Sequence, residues 1–98
     1  MSAREHILER LRGVMPELHK QHGVCTVWLF GSFARGEDNE ESDVNVLVEF
    51  DRPASLLTLA RLRRRLEEVL GREVEVGTPE SLSAAARERV LKERILVA

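Results

Sequence analysis

The sequence has 98 residues, which is enough for one compact domain and too few for two, so we predict a single domain over residues 1–98. Hydrophobic residues make up 43% of the chain and charged residues of both signs 33%, a balance typical of a folded domain and not of a disordered one. The net charge of −2 excludes a broadly basic nucleic-acid binder, and because no long apolar run is present we expect no membrane span and a cytoplasmic protein.

The first 22 residues predict an amphipathic helix. Ser2 and Glu5 have the spacing of a capping box at its start, and Gly23 is a typical residue for its end. Apolar residues recur at helical spacing between these two signals. Pro16 interrupts the run, so we expect either a kink at this position or a second helix that starts there.

Two apolar segments predict the central strands. Residues 24–30 are β-branched and apolar at both parities, which is typical of a strand buried on both faces, and Cys25 and Trp28 are expected in the core. Residues 37–42 are acidic and polar and predict an exposed loop. Residues 44–50 predict the second strand.

The rest of the chain predicts a helix over residues 54–70, a short strand over 73–76 and a last helix over about 80–93, with Thr78 as its cap and Pro79 at its first position. The order is α-β-(turn)-β-α-β-α, so we predict an α/β (α+β) domain with a three-stranded mixed sheet and helices packed on it. The apolar stripe of the long third helix is expected to comprise Leu56, Leu59, Leu62, Leu66, Val69 and Leu70.

The step from the first strand into a short helical turn has the features of a phosphate-binding loop. Gly31 lets backbone N–H groups approach an anion closely, a helix start adds positive potential, and the hydroxyl of Ser32 donates a further hydrogen bond. Arg35 follows and either contacts phosphate or is a surface charge at the helix end. Gly-Ser pairs also form ordinary turns, so both interpretations stay open on this segment alone.

Polar side chains at the start of the second strand indicate a metal site. Asp43 and Asn45 are two residues apart, so in an extended strand both side chains leave the same face, where their oxygen atoms can hold Mg²⁺ beside a triphosphate. Alternatively, Asp43 ends the loop and Asn45 is a tolerated polar residue, although asparagine is disfavoured in strands. Glu75 adds a third ligand if its strand pairs with the second, or else faces solvent on an edge strand.

Residues 29–50, LFGSFARGEDNEESDVNVLVEF, resemble the signature of the DNA polymerase β-type nucleotidyltransferases, G-S-x-A-R-G followed by S-D-x-D and an apolar strand. The chain length and the segment EVEVGTPESLSAAARERVLKE resemble the minimal nucleotidyltransferases of that superfamily. The resemblance implies the nucleotidyltransferase fold, a triphosphate held by Gly31 and Ser32, and Mg²⁺ or Mn²⁺ bound by Asp43. Asn45 and Glu75 stand where the family has two further aspartates, and the second of these is implied to activate the acceptor hydroxyl.

The resemblance also implies an activity and a partner. The activity is the transfer of a nucleoside monophosphate, AMP from ATP, to a hydroxyl group, and the partner is a HEPN-type ribonuclease whose tyrosine is modified by its antitoxin. These 98 residues contain no tyrosine, so they cannot modify themselves at that residue type.

Asn45 supports an alternative function. It removes one negative charge from the metal site, and weaker metal occupancy lowers the rate of a two-metal transfer. The alternative is therefore a catalytically impaired module that acts by binding a partner protein. Direct nucleic-acid binding is not expected, because the predicted strands lack exposed aromatic residues for stacking on bases.

Overall fold

Helices and strands alternate along the computed structural model, which describes residues 2–98. The helices span Ala3–His22 (α1), Ser32–Arg35 (α2), Leu56–Leu70 (α3) and Ala84–Glu93 (α4), and one 3₁₀ turn spans Pro79–Ser81. The strands span Val24–Phe30 (β1), Val44–Phe50 (β2), Val74–Gly77 (β3) and Ile95–Leu96 (β4). No helix within residues 2–98 has the length and apolar character needed to cross a membrane.

The sheet has the strand order β3-β2-β1-β4. Strand β1 is antiparallel to both β2 and β4, whereas β2 and β3 are parallel and are connected through α3. The prediction of a three-stranded sheet was wrong by one strand, because Ile95 and Leu96 pair with Leu29 and Trp28 at the edge of β1. A strand of two residues is too short to show the alternation of apolar and polar positions by which strands are recognised.

The main core lies on the face of the sheet that α1 and α3 cover. Burial alternates along β1, so this strand is not buried on both faces as predicted: Cys25 is exposed and Trp28 is half-buried. Leu47 of β2 and Val90 of α4 are also buried but lie outside the main core cluster. The central buried side chains of the main core are Leu11, Leu18, Val27, Leu29, Phe33, Val46, Val48, Leu62 and Leu66.

The ends of the first helix follow the predicted signals. The hydroxyl of Ser2 accepts a hydrogen bond of 3.1 Å from the amide of Glu5, and Gly23 ends the helix in the left-handed conformation. Helix α1 is continuous through Pro16, so the alternative of a second helix starting there is not observed.

Two later boundaries differ from the predicted ones. Thr78 and Ser81 close a separate 3₁₀ turn by capping each other, so α4 begins only after Ser83, whose hydroxyl caps it. Helix α3 begins at Leu56 and not at residue 54 as predicted. Leu56 is 86% exposed in the first turn of the helix, so it does not belong to the buried stripe.

Candidate active site

The connection between β1 and β2 starts with a turn that only glycine accommodates. Gly31 has φ 78° and ψ −156°, a backbone region restricted almost entirely to glycine. A Cβ atom at this position would also collide with the side-chain amide of Asn45. The turn residue therefore lies directly against the polar residue of β2, and the two halves of the predicted site are in contact.

Helix α2 is a single turn that presents the segment after Gly31 to solvent. Its N-cap residue is Gly31, which has no side chain, so the first amide groups of the helix receive no side-chain cap. The helix is anchored by Phe33, which is only 1% exposed, and ends at Gly36 in the left-handed conformation. This anchoring leaves Ser32 half-buried and Arg35 exposed at the same surface.

The register of the sheet places Glu75 beside Asn45. Asn45 pairs with Phe30 of β1 on one side and with Glu75 of β3 on the other. Adjacent strands lie about 4.8 Å apart, and directly opposite residues share a face of the sheet, so the amide and the carboxylate are neighbours. The third strand thus pairs with the second, and Glu75 is at the same time an exposed residue of an edge strand.

A cleft of about 670 Å³ lies between the β1–β2 connection, the sheet and α4, and we call it the main cleft. Five of the six predicted site residues line it, together with four residues of α4 that were not predicted for the site. The predicted residues are Gly31, Ser32, Arg35, Asn45 and Glu75, and the additional ones that bear on its charge are Arg89 and Glu93.

Asp43 is exposed and lies outside the lining of the main cleft. It lines a neighbouring cleft of about 410 Å³ with Glu73 and Glu75, so Glu75 is common to both clefts. Asp43 directly precedes Val44, the first residue of β2, so it lies just outside the strand that carries Asn45.

The donors that could hold a cation are the carboxylates of Asp43 and Glu75 and the amide oxygen of Asn45. Across residues 2–98, no group of three or more His, Cys, Asp or Glu side chains is placed to hold a metal ion. Mg²⁺ is usually held by one or two carboxylates together with substrate phosphates, and not by a complete protein cage. Asn45 and Glu75, which are opposite each other in the sheet, fit that mode of binding for one hard cation, and Asp43 lines the neighbouring cleft that Glu75 shares.

The positive charge of the main cleft comes from Arg35 and Arg89. The Nε of Arg35 donates to Glu37 at 2.7 Å and its Nη1 donates to Glu93 at 2.9 Å, and these two carboxylates raise the pKa of Arg35 above its ordinary value. Arg89 is exposed and forms no ion pair with any residue in the range 2–98. Glu93 also accepts a hydrogen bond of 3.2 Å from the amide of Gly31.

The sequence signal for Glu93 and Arg89 was weak. Glu93 is 62 residues from Gly31 along the chain, and its partners are set by the way α4 lies across the sheet. The spacing of four residues between Arg89 and Glu93 does place both on one side of α4, which is the only local feature that links them.

The fold agrees with the comparison to known protein families. The family model described as the nucleotidyltransferase domain matches residues 8–97, almost the whole chain. The chain belongs to this nucleotidyltransferase family. The predicted family membership and the nucleotidyltransferase fold are thereby confirmed.

Several relatives of this nucleotidyltransferase cover nearly its full length. A protein of Methanocaldococcus jannaschii that carries the provisional name protein adenylyltransferase is 47% identical over 90 residues, which are 92% of this chain and 96% of the relative. Protein adenylyltransferase MntA of Thermococcus cleftensis is 38% identical over 93 residues, covering 95% of this chain and 94% of the relative.

Solved structures share the nucleotidyltransferase fold. One that is provisionally described as a minimal nucleotidyltransferase has a TM-score of 0.78 at 39% identity, and the match covers 97% of this chain and 95% of that one. A toxin–antitoxin crystal structure with AMP-PNP has a TM-score of 0.74 at 18% identity over 89% of this chain and 72% of that one. The second likeness concerns the fold alone.

Proposed function

We propose that this domain binds ATP in the main cleft and a divalent cation at the border with the neighbouring cleft, and that it transfers AMP to a hydroxyl group of a partner protein. The observation that carries the proposal is the cleft itself, which gathers the Gly31–Arg35 segment and the oxygen donors of Asn45 and Glu75. A protein acceptor is supported by the names of the relatives, which describe them as protein adenylyltransferases.

Each group of residues has a role that its chemistry supports. The amide of Gly31, the hydroxyl of Ser32 and the guanidinium of Arg35 are donors for phosphate oxygens, and a planar guanidinium suits phosphate particularly well. Asp43, Asn45 and Glu75 would hold the cation, which when bound neutralises charge on the phosphates.

The transfer itself needs a base near the acceptor hydroxyl. The hydroxyl oxygen attacks the α-phosphorus, a new P–O bond forms, the bond to the β-phosphate breaks and pyrophosphate leaves. Glu75 is the carboxylate that lines both the main cleft and its neighbour, so it can accept the hydroxyl proton from a partner approaching along the open edge at β3.

A HEPN-type toxin is the partner class that we propose. The fold is shared with the MNT antitoxin in a solved complex with a tri-AMPylated HEPN toxin, with a TM-score of 0.62 at 18% identity. The absence of tyrosine from these 98 residues agrees with modification of a tyrosine on a separate chain.

Incubation with labelled ATP, Mg²⁺ or Mn²⁺ and a candidate HEPN partner tests the enzymatic function. Wild type should label the partner, whereas Asp43→Ala and Glu75→Gln should not. Glu49→Gln is the matched control, because Glu49 is an exposed carboxylate of β2 that lies outside the main cleft, and this variant should label like wild type. Equal labelling by Asp43→Ala would contradict the assignment of the site.

A second candidate function is partner binding without chemistry, and Asn45 is the observation that favours it. A neutral amide contributes one oxygen ligand but no charge to the cation site. If wild type binds ATP and the partner in calorimetry but only Asn45→Asp labels the partner, the natural protein is a binding module. If wild type labels the partner, the binding-module function is excluded. If wild type and all the site variants fail to bind ATP, both functions are excluded.

A further inference from the structure

The carboxylate of Glu93 occupies the anion-binding end of the main cleft. It accepts a hydrogen bond of 3.2 Å from the amide of Gly31 with one oxygen and another of 2.9 Å from Arg35 with the other. The side chain of Glu93 is only 14% exposed, although it belongs to the last residue of a surface helix. An acidic side chain is therefore held in the place where the loop presents its donors.

Those donors are the ones that the proposed function assigns to the nucleotide phosphates. The amide of Gly31 carries a single hydrogen atom, so it cannot make a good hydrogen bond to Glu93 and to a phosphate oxygen together. The Nε of Arg35 donates to Glu37 at 2.7 Å and its Nη1 donates to Glu93 at 2.9 Å, so Glu93 takes one of the guanidinium donors that a phosphate in the cleft would use.

We propose that Glu93 is an internal anion that occupies the phosphate position of the nucleotide-free domain and competes with the nucleotide for it. The inference rests on the proposed function, because it takes the Gly31–Arg35 segment as the phosphate site. Its consequence is that Glu93 sets the nucleotide affinity: every phosphate that binds must first displace this carboxylate.

The same helix contains a partner for the displaced carboxylate. Arg89 precedes Glu93 by four residues, so the two side chains are neighbours along one side of α4. Arg89 lines the main cleft and forms no ion pair within residues 2–98, and it is therefore available to Glu93. The exchange needs only a change of side-chain rotamer at the end of the helix.

Calorimetric titration of the full chain with ATP and with inorganic tripolyphosphate, each with Mg²⁺, tests the competition. Glu93→Gln removes the competing charge, and Glu93→Asp keeps the charge but is one methylene shorter, so it reaches Gly31 less well. Both variants should bind the two ligands about two- to fivefold more tightly than wild type, the scale expected for an ion pair at a partly exposed site.

Glu88→Gln is the matched control. Glu88 lies on the same helix, is 73% exposed on its side chain and pairs with Lys92 outside the main cleft, so this variant removes the same charge without touching the donors. Its affinity should equal that of wild type. Thermal unfolding of each variant shows that the comparison is made between folded proteins, and Glu93→Asp alone carries the test if Glu93→Gln does not fold.

The outcomes separate this inference from the proposed function. Tighter binding by the Glu93 variants with an unchanged control supports the competition. If wild type binds ATP and the Glu93 variants bind it equally or more weakly, Glu93 is not a competitor, and the nucleotide site stands. If neither wild type nor any variant binds ATP or tripolyphosphate, both the inference and the proposed function are overturned.

Discussion

Replacing Gly31 by alanine should destabilise the domain through two separable effects. The first is backbone strain, because φ 78° and ψ −156° lie in a region that residues with a Cβ atom avoid, at a free-energy cost of about 1–3 kcal/mol. The second is overlap of the new Cβ atom with the amide of Asn45, and overpacking of this kind costs about 1–3 kcal/mol. The expected loss in the free energy of unfolding is therefore about 2–6 kcal/mol.

A double-mutant cycle with Asn45→Ala separates the two effects. Alanine at position 45 removes the amide nitrogen and Cγ that the new Cβ atom would meet and leaves only the Cβ of residue 45, at 3.3 Å, so Gly31→Ala should then cost mainly the backbone term. Gly36→Ala provides the reference, because Gly36 also has a positive φ, of 73°, but a Cβ atom there meets nothing within 4 Å. Its cost should be about 1–2 kcal/mol.

Urea unfolding followed by the emission of Trp28, the single tryptophan, measures all four variants. The expected result is a coupling energy of at least about 1 kcal/mol between positions 31 and 45. Gly31→Ala should lower the free energy of unfolding less in the Asn45→Ala background than in wild type. Equal costs of Gly31→Ala in the two backgrounds would refute the close approach of Asn45 to the turn.

Three further predictions concern charge and capping. Asn45→Asp puts a carboxylate opposite Glu75, so it should lower the free energy of unfolding in metal-free buffer by up to about 1 kcal/mol, and Mn²⁺ should restore it. Thermal melts in which Mn²⁺ does not raise the melting temperature of this variant would contradict the prediction. Hydrogen bonds from Arg65 lower the pKa of Glu17 below its ordinary value of 4.5. The ion pair therefore stabilises the fold above about pH 4.5, and this stabilisation is lost as the pH falls through the pKa of the folded state. Glu17→Gln should therefore flatten the acid side of the stability profile, and parallel profiles in urea titrations from about pH 6 to about pH 3 would contradict it. Ser83→Ala removes the cap of α4 and should cost about 1 kcal/mol in urea unfolding, whereas a loss of only a few tenths would mean that the cap is not used.

Local signals predicted most of the fold and the residues of the β1–β2 connection. Caps at Ser2 and Gly23 and the apolar strands are features of a few neighbouring residues, and each survives in the structure. Glu75 was predicted to join the site if its strand pairs with the second, and the pairing of β2 with β3 meets that condition. The sequence suggested that Gly31 is needed for its backbone freedom, and the close approach of Asn45 is a second reason why this position requires glycine.

What the sequence did not predict depends on distant contacts or on competing local signals. Strand β4 exists because β1 offers it an edge, not because Ile95 and Leu96 have a pattern of their own. Thr78 and Ser83 are both good cap residues, and only the mutual capping of Thr78 and Ser81 decides that the helix begins at the later one. The placement of Glu93 against Gly31 requires the final position of α4 and has no local signature.

The β1–β2 connection has a consequence for folding kinetics. Strands β1 and β2 are the central antiparallel pair, and the segment that joins them, residues 31–43, carries the turn that we propose to bind phosphate. The connection between these antiparallel neighbours is shorter than the crossover through α3, so β1 and β2 can pair earlier than the parallel strands β2 and β3. The turn proposed for nucleotide binding thus also belongs to the loop whose closure aligns the first pair of strands, and substitutions that reshape it should change the folding rate.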